Sequence, residues 1–319
     1  MTALPPITVL MCAYNAENFI EDAIVSVLNQ TFSDFIFLII NDGSNDQTEQ
    51  VIRSFSDNRI RLVNQPNQGI ATSLNNGLQL ISTEFIARFD ADDICYPQRL
   101  ERQLDILNEN PSISIAGSAA DYVDESGEFV FTYCPPCKTS EEIAGSKMEV
   151  CPFIHSSVMY RKSVLGPDLY NPDAFSFEDH LLWVQILDRA RGVNIKEPLI
   201  KVRLNPQSLT IDDKWRPRRF REIRKNSLQT GHISKLESKE LKEIARMQNN
   251  SALKEAAYHS LLAKKYLWNN FQPAIARKHI RKLITANHFN LLPYLMYGAS
   301  CLPGPAVKKI YQLFKEVRS

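Results

Sequence analysis

Short apolar runs alternate with amphipathic stretches along the first third of the chain. The apolar runs are rich in β-branched residues and predict buried strands at 7–13, 35–40, 59–63 and 85–89. Between them, apolar residues recur at helical spacing and predict helices at 20–30, 46–55 and 69–81. This alternation is typical of βαβ units, so we expect an α/β fold with a mostly parallel sheet flanked by helices.

The pattern becomes less regular after residue 97. It predicts a helix that ends at Pro111, strands at 113–122 and 129–133, a strand at 155–160 and a helix at 178–189. From residue 214 onward the chain is helical and basic. We therefore predict an α/β domain at 1–210, with halves at 1–111 and 112–210, followed by an α-helical extension at 211–319.

Polar side chains follow three of the predicted strands, at the edge of the sheet where parallel strands end. They are Tyr14, Asn15, Asp42, Asp90, Asp92 and Asp93. Ligands of open parallel sheets bind beyond this edge. Asp90 and Asp92 project to the same side, and two such carboxylates favour a hard divalent cation between them. A polar loop that caps the helix near Pro97 is the simpler alternative, but it does not explain convergence from three strands.

Seven segments in this order resemble those of glycosyltransferase family 2, whose catalytic domain has the Rossmann-like GT-A fold. They lie at 13–17, 26–31, 41–48, 67–69 with 74–75, 86–93, 97–103 and 178–183. Each segment is short, but their joint order over about 200 residues is specific. The resemblance extends to bacterial transferases that assemble surface polysaccharides such as capsule and lipopolysaccharide.

The resemblance implies that residues 1–210 are the catalytic domain, with a nucleotide-sugar-binding half at 1–111 and an acceptor half at 112–210. It also implies a divalent metal ion, Mn²⁺ or Mg²⁺. The donor-binding residues it implies are Ala13, Tyr14, Asn15, Glu17, Asp42, Asn75, Asp90 and Asp92. Asp92 would hold the metal with help from Asp90 or Asp93, because the departing diphosphate needs positive charge. Asp42 would bind the uracil or ribose and Tyr14 would line the base; their alternatives are a turn residue and a core aromatic.

A carboxylate must also take the proton of the attacking acceptor hydroxyl. The resemblance points to Asp179, and Glu178 remains a rival; an acidic helix start is the structural alternative for both. The family further implies inversion at the anomeric carbon. We expect transfer of a sugar, from a UDP-linked donor, to a saccharide or lipid-linked saccharide acceptor.

Three alternative interpretations fit the sequence less well. A nucleotidyltransferase of similar fold would carry a Gly-rich basic loop after the first strand, which residues 12–17 lack. A catalytically inactive binding or scaffold relative is disfavoured because Asp42, Asp92 and Asp179 are all present. A Cys₃His zinc site is disfavoured by the stiff Pro135-Pro136 pair, and its candidate ligands would be Cys134, Cys137, Cys151 and His155.

Charge divides the chain unevenly although the net charge is +1. Residues 1–200 hold 13 Lys or Arg against 28 Asp or Glu, whereas residues 201–319 hold 24 against 8. Basic clusters lie at 216–225 and 277–282, the latter before an apolar stretch at 289–302. Without a nucleic-acid recognition motif, this pattern predicts a cytoplasmic protein that is peripheral on the anionic inner face of the membrane. The six cysteines and the absence of a signal sequence fit that compartment.

Overall fold

The computed structural model of the chain describes residues 5–166, 169–206, 208, 211, 215–286 and 290–316. Among these residues one sheet is formed by the strands β1 Ile7–Ala13, β2 Phe35–Asp42, β3 Ile60–Gln65, β4 Phe85–Asp90, β5 Ile94–Cys95, β6 Ile115–Val123, β7 Phe129–Tyr133, β8 Met159–Arg161 and β9 Gly192–Arg203. The helices are α1 Ile20–Leu28, α2 Thr48–Arg53, α3 Ile70–Leu80, α4 Arg99–Glu109, α5 Ser140–Ser146, α6 Glu178–Ile186, α7 Arg218–Thr230, α8 Lys235–Gln248, α9 Ser251–Trp268, α10 Pro273–Ala286, α11 Leu291–Ser300 and α12 Gly304–Glu316.

The sheet has the order β3-β2-β1-β4-β8-β6-β9-β5, and β7 pairs with β6. The first four strands are parallel, as expected from the βαβ pattern. The pairs β4–β8, β6–β8 and β5–β9 are antiparallel. Ala13 pairs with Asn41 and Cys12 pairs with Asp90, so the carboxyl ends of β1, β2 and β4 lie side by side.

The core of the sheet is built from strands that are covered on both faces. Every residue of β1 and β2 is buried, which accounts for their continuous apolar sequence. The indole of Trp183 on α6 packs edge-on against Phe153 and Tyr160, with ring centroids 5.6 Å apart in each pair. Helix α6 is therefore fixed against the sheet by an aromatic cluster.

The structure corrects two element predictions and adds a long strand. The predicted strand at 155–160 begins only at Met159, because His155–Ser157 forms a 3₁₀ turn closed by Ser157 N–H and Oγ on Ile154 O. The helix predicted at 178–189 ends at Ile186. Strand β9 was not predicted, since its Lys-Glu-Pro interruption at 196–198 hides the alternation.

The described residues form two compact units, each assembled from three stretches of chain. The first contains residues within 1–121, 132–202 and 218–242, and the second those within 122–131, 203–217 and 243–319. The second unit has its own apolar core, to which Leu262, Tyr266 and Ile280 contribute. A division at residue 210 remains a prediction. None of the helices in the described ranges is long and apolar enough to cross a bilayer.

Candidate active site

Hydrogen bonds join the loops that follow β1 and β2. The N–H of Asn15 donates to Ser44 Oγ at 3.1 Å, and Asn15 Oδ1 accepts from the N–H of Asn45 at 2.9 Å. Glu17 Oε2 accepts from the N–H of Gln47 at 2.9 Å. Asn15 has a positive φ of 50°, which asparagine tolerates better than most residues. Asn15 and Glu17 thus shape the edge of the sheet, and direct contact with a donor stays a prediction for both.

Tyr14 stands at the mouth of this edge. Its side chain is 49% exposed, so the core-aromatic alternative is wrong. The preceding residue, Ala13, is buried within β1 and offers only its methyl group and backbone. An exposed ring beside a buried strand end is suited to stacking against a base.

Asp42 is buried at the end of β2 and organises the loop before α3. Its Oδ1 accepts from Gln65 Nε2 at 2.7 Å and from the N–H of Gln68 at 2.9 Å, and its Oδ2 accepts from the N–H of Gly69 at 2.9 Å. The carboxylate therefore faces the N-terminus of α3, where negative charge is stabilised. Gly43 is required here, because a Cβ would lie 2.6 Å from the backbone nitrogen of Asn67.

A buried cation lies behind the acidic cluster. Arg88 on β4 is 3% exposed and forms an ion pair through Nη1 with Asp90 Oδ2. Burial lowers the pKa of Arg88, but the charge of Asp90 and its hydrogen bond outweigh burial, and the pKa is raised. Arg88 therefore stays charged and fixes Asp90. Arg88 lies within the apolar run predicted as a strand at 85–89, and a charged residue in such a run was the available signal of a buried ion pair, but no role was predicted for it.

The rest of the acidic cluster is divided between the surface and the core. Asp92 is half-buried, whereas Asp93 is buried and accepts from Ser156 Oγ. Behind it, the buried Arg99 donates from Nη2 to Arg88 O at 2.6 Å, and Gln103 Nε2 donates to Ser157 O at 2.7 Å. The segment at 97–103 thus ties α4 to the backbone beneath the cluster.

Two further carboxylates begin helix α6. Burial, followed by the charge of Asp179, raises the pKa of Glu178 to about 7; Arg88 and Asp90 also act on it. Asp179 Oδ2 accepts from Cys151 Sγ at 3.7 Å, and Oδ1 accepts from the N–H of His180 at 2.7 Å. The fold thus brings Glu178, and with it Asp179, into the electrostatic reach of the β4 cluster, although they are 88 positions beyond it.

A buried histidine braces the start of α6. His180 Nε2 donates to Lys147 O at 2.6 Å, and its Nδ1 accepts from Arg224 Nη2 of α7 at 2.8 Å. Burial lowers the pKa of His180, so the ring is neutral. Arg224 belongs to a basic cluster that the sequence suggested for membrane binding, and its contact with His180 was not predicted.

Asn75 on α3 binds the backbone of Tyr170. Its side chain donates to Tyr170 O at 2.8 Å and accepts from the N–H of Tyr170 at 2.9 Å. The Tyr170 hydroxyl in turn lies 2.9 Å from His155 Nε2. Asn75 therefore anchors the segment that leads into α6, and its predicted donor contact remains a prediction.

The candidate ligands of the disfavoured zinc site are not placed to hold a metal ion together. Cys137 Sγ lies 2.8 Å from Ser146 Oγ, Cys151 contacts Asp179, and His155 contacts Tyr170. In the part of the chain that the structure describes, no three His, Cys, Asp or Glu side chains are placed to hold a metal ion. All six cysteines are free thiols.

A divalent ion that takes most of its ligands from the substrate fits the donor set at β4. Such ions bind through one or two carboxylates together with substrate phosphates. Asp90 uses one carboxylate oxygen for Arg88 and is partly exposed, and Asp92 is half-buried beside it. Asp93 fits less well because it is buried against Ser156.

Comparison with known proteins identifies the family of the chain. The model of the family "Glycosyl transferase family 2" matches residues 8–166. An uncharacterized glycosyltransferase of Haemophilus influenzae is 31% identical, over 64% of this chain and 67% of its own length. The chain belongs to glycosyltransferase family 2. It is therefore a transferase, and the nucleotidyltransferase alternative is set aside.

Other relatives of this family 2 chain include a surface-polysaccharide enzyme, and solved structures confirm its fold. The O-antigen biosynthesis glycosyltransferase WbnJ of Escherichia coli is 28% identical over 64% of this chain and 82% of its own length. The structure of S. aureus TarS 1–349 with UDP-GlcNAc superposes with a TM-score of 0.55 at 15% identity, covering 97% of this chain and 91% of the TarS 1–349 chain. The mannosyltransferase PcManGT of Pyrobaculum calidifontis, solved with GDP-Man and Mn²⁺, has a TM-score of 0.54 at 15% identity, covering 98% and 84%. The GT-A fold with C-terminal helices is thereby confirmed.

Proposed function

We propose that this family 2 enzyme is a metal-dependent, inverting glycosyltransferase that uses a UDP-linked sugar. Its acceptor would be a saccharide or lipid-linked saccharide presented at the cytoplasmic face of the membrane. The observation that carries the proposal is the arrangement of two carboxylate pairs, Asp90 with Asp92 and Glu178 with Asp179, near the buried Arg88. The fold neighbours solved with UDP-GlcNAc and with GDP-Man and Mn²⁺ support a nucleotide-sugar donor and a divalent ion.

The donor would lie across the ends of β1, β2 and β4. Tyr14 would stack on the base, and the Asp42 carboxylate, together with the loop that it holds, would bind the uracil or the ribose. Asp92 and Asp90 would hold Mn²⁺ or Mg²⁺, which neutralises the charge of the departing diphosphate. Arg88 would keep Asp90 ionised and correctly oriented.

The acceptor would approach from the side of α6. Asp179 would remove the proton of the attacking hydroxyl as its oxygen forms a bond to the anomeric carbon and the bond from that carbon to the diphosphate oxygen breaks. Attack from the face opposite the leaving group inverts the anomeric configuration. The Cys151 thiol and the N–H of His180 would orient Asp179, and Glu178 is the rival base.

A screen of nucleotide sugars tests the donor proposal. We expect UDP with Mn²⁺ to raise the thermal unfolding temperature, and one UDP-sugar to be hydrolysed slowly without acceptor. Asp92→Asn should abolish both metal-dependent effects. Stabilisation by GDP but not UDP would overturn the choice of nucleotide, and no stabilisation by any nucleoside diphosphate with metal would overturn the donor site.

A further inference from the structure

Helix α11 presents an apolar face that nothing in the described structure covers. Pro293, Met296 and Ser300 point inward and are buried. The α11 face, defined here as Leu291, Leu292, Tyr294 and Leu295, points outward, and Leu291 and Leu295 are 75% and 72% exposed. Single exposed leucines are ordinary, but a contiguous apolar patch marks contact with an apolar partner. The helix carries no charged side chain to interrupt this face.

Basic side chains border this face without any acidic neighbours in sequence. Residues 271–315 contain seven Lys or Arg and no Asp or Glu. On α10, Lys278, Arg281 and Lys282 are exposed. Arg281 Nη2 donates to Tyr297 Oη at 3.4 Å, and Arg277 donates to Ser300 O, so α10 and α11 are held together by basic residues. The α11 face and the basic residues of α10 beside it therefore belong to one pair of packed helices.

We propose that the α11 face docks on the surface of an anionic phospholipid bilayer. The leucines would enter the boundary between headgroups and acyl chains, while Lys278, Arg281 and Lys282 would contact lipid phosphates. A second copy of the chain is a poorer occupant, because like faces would bring Lys278 and Arg281 of the two copies together, and residues 271–315 supply no carboxylate to neutralise them. Lys282 is the exception, since it interacts with Glu125. This docking goes beyond the proposed transfer reaction and does not depend on it.

Sedimentation of the full chain with vesicles tests the docking. We expect binding to phosphatidylcholine vesicles that contain phosphatidylglycerol, weakening as salt is added, and much weaker binding to phosphatidylcholine alone. Burying one leucine in lipid gains about tenfold in partitioning. Leu291→Gln/Leu295→Gln should therefore weaken binding roughly a hundredfold.

Matched variants distinguish vesicle binding by the α11 face from nonspecific apolar adsorption and from nonspecific electrostatic attraction. Leu236→Gln/Met247→Gln replaces two α8 side chains that are 66% and 75% exposed, and it should bind like the unaltered chain. Lys278→Gln/Lys282→Gln should lose about fivefold per cation on anionic vesicles only. The control for loss of charge is Lys235→Gln/Lys239→Gln, which removes two exposed cations of α8.

Four results would overturn the docking. The first is that the chain does not sediment with anionic vesicles at low salt. The second and third are that Leu236→Gln/Met247→Gln loses as much vesicle binding as Leu291→Gln/Leu295→Gln, or that the latter binds vesicles like the unaltered chain. The fourth is a dimeric mass in light scattering that Leu291→Gln/Leu295→Gln abolishes. The last result would assign the face to a second copy. Circular dichroism of each variant confirms folding, and unchanged donor hydrolysis without vesicles keeps the outcome separate from the transfer proposal.

Discussion

Titration of the Glu178 carboxyl makes the free energy of unfolding depend on pH, and this dependence reports the electrostatics of the site. Burial and the charge of Asp179 raise its pKa from 4.5 to about 7, so the folded chain holds this proton more tightly than the unfolded chain. Below pH 4.5 both states are protonated, and between pH 4.5 and about 7 the unfolded chain loses the proton first. The contribution of Glu178 to stability is therefore complete in acid and is lost as the pH rises through 7.

Glu178→Gln removes this titration and should make the protein more stable at alkaline pH. A shift of this size corresponds to a gain of about 3 kcal/mol above pH 7, because one pKa unit is worth about 1.4 kcal/mol. Near pH 4.5 the variant and the unaltered chain should unfold with nearly equal free energies. Urea unfolding across this pH range, followed by circular dichroism, gives the difference directly.

Two control variants show whether burial and the charge of Asp179 cause the alkaline gain in stability of Glu178→Gln. Glu109→Gln, at an exposed position of α4, reports what replacing any glutamate does. In an Asp179→Asn background the gain from Glu178→Gln should shrink, because one of the two main causes of the shift is gone. A gain that is the same at every pH, or that is larger in acid than in alkali, would refute the reasoning.

Three further predictions concern the neighbouring groups. Asp179→Asn should lower the transfer rate by about 10²–10⁴ while donor affinity in equilibrium binding is retained, and Glu178→Gln should lower it far less; the opposite ranking would make Glu178 the base. Asp90→Asn should destabilise the protein by about 3 kcal/mol in urea unfolding, because Arg88 becomes an unpaired buried charge, and Arg88→Met should recover part of this loss in the double variant. No recovery would mean that the ion pair is not the cause. Cys151→Ala should reduce kcat by up to about tenfold and Cys151→Ser should not, since serine also donates to Asp179; equal rates would remove the thiol from the site.

The strands and helices that carry the site were predictable where the signal is local. Strands β1, β2 and β4 are continuous apolar runs that end in polar residues, so both their positions and the gathering of Asp42 and Asp90 followed from the pattern. Strand β9 was missed because charged residues and a proline interrupt it. Local periodicity does not reveal such a strand, because the strands that pair with it lie far away along the chain.

Partnerships between distant side chains were not predictable from the sequence. Asp42 was expected to act on a ligand, yet its oxygens also bind the backbone of Gln68 and Gly69, 26 and 27 positions away. The contact of Cys151 with Asp179 spans 28 positions, and that of His180 with Arg224 spans 44. Only the tertiary packing of α6 brings Cys151 to Asp179 and Arg224 to His180, because no spacing rule relates the members of either pair.

The interleaved division of the chain limits how this transferase could exchange parts with its relatives. A cut at the end of β9 would look natural in the sequence, but residues 218–242 belong to the same compact unit as the sheet. That segment includes α7, whose Arg224 holds the histidine next to Asp179. A recombination that swaps the C-terminal helices would have to leave α7 in place and join after α8, which runs to Gln248. The new helices would still have to pack on Val130, Leu204 and Ile211, which precede the join but belong to the same apolar core, so the tail is inherited together with those earlier segments.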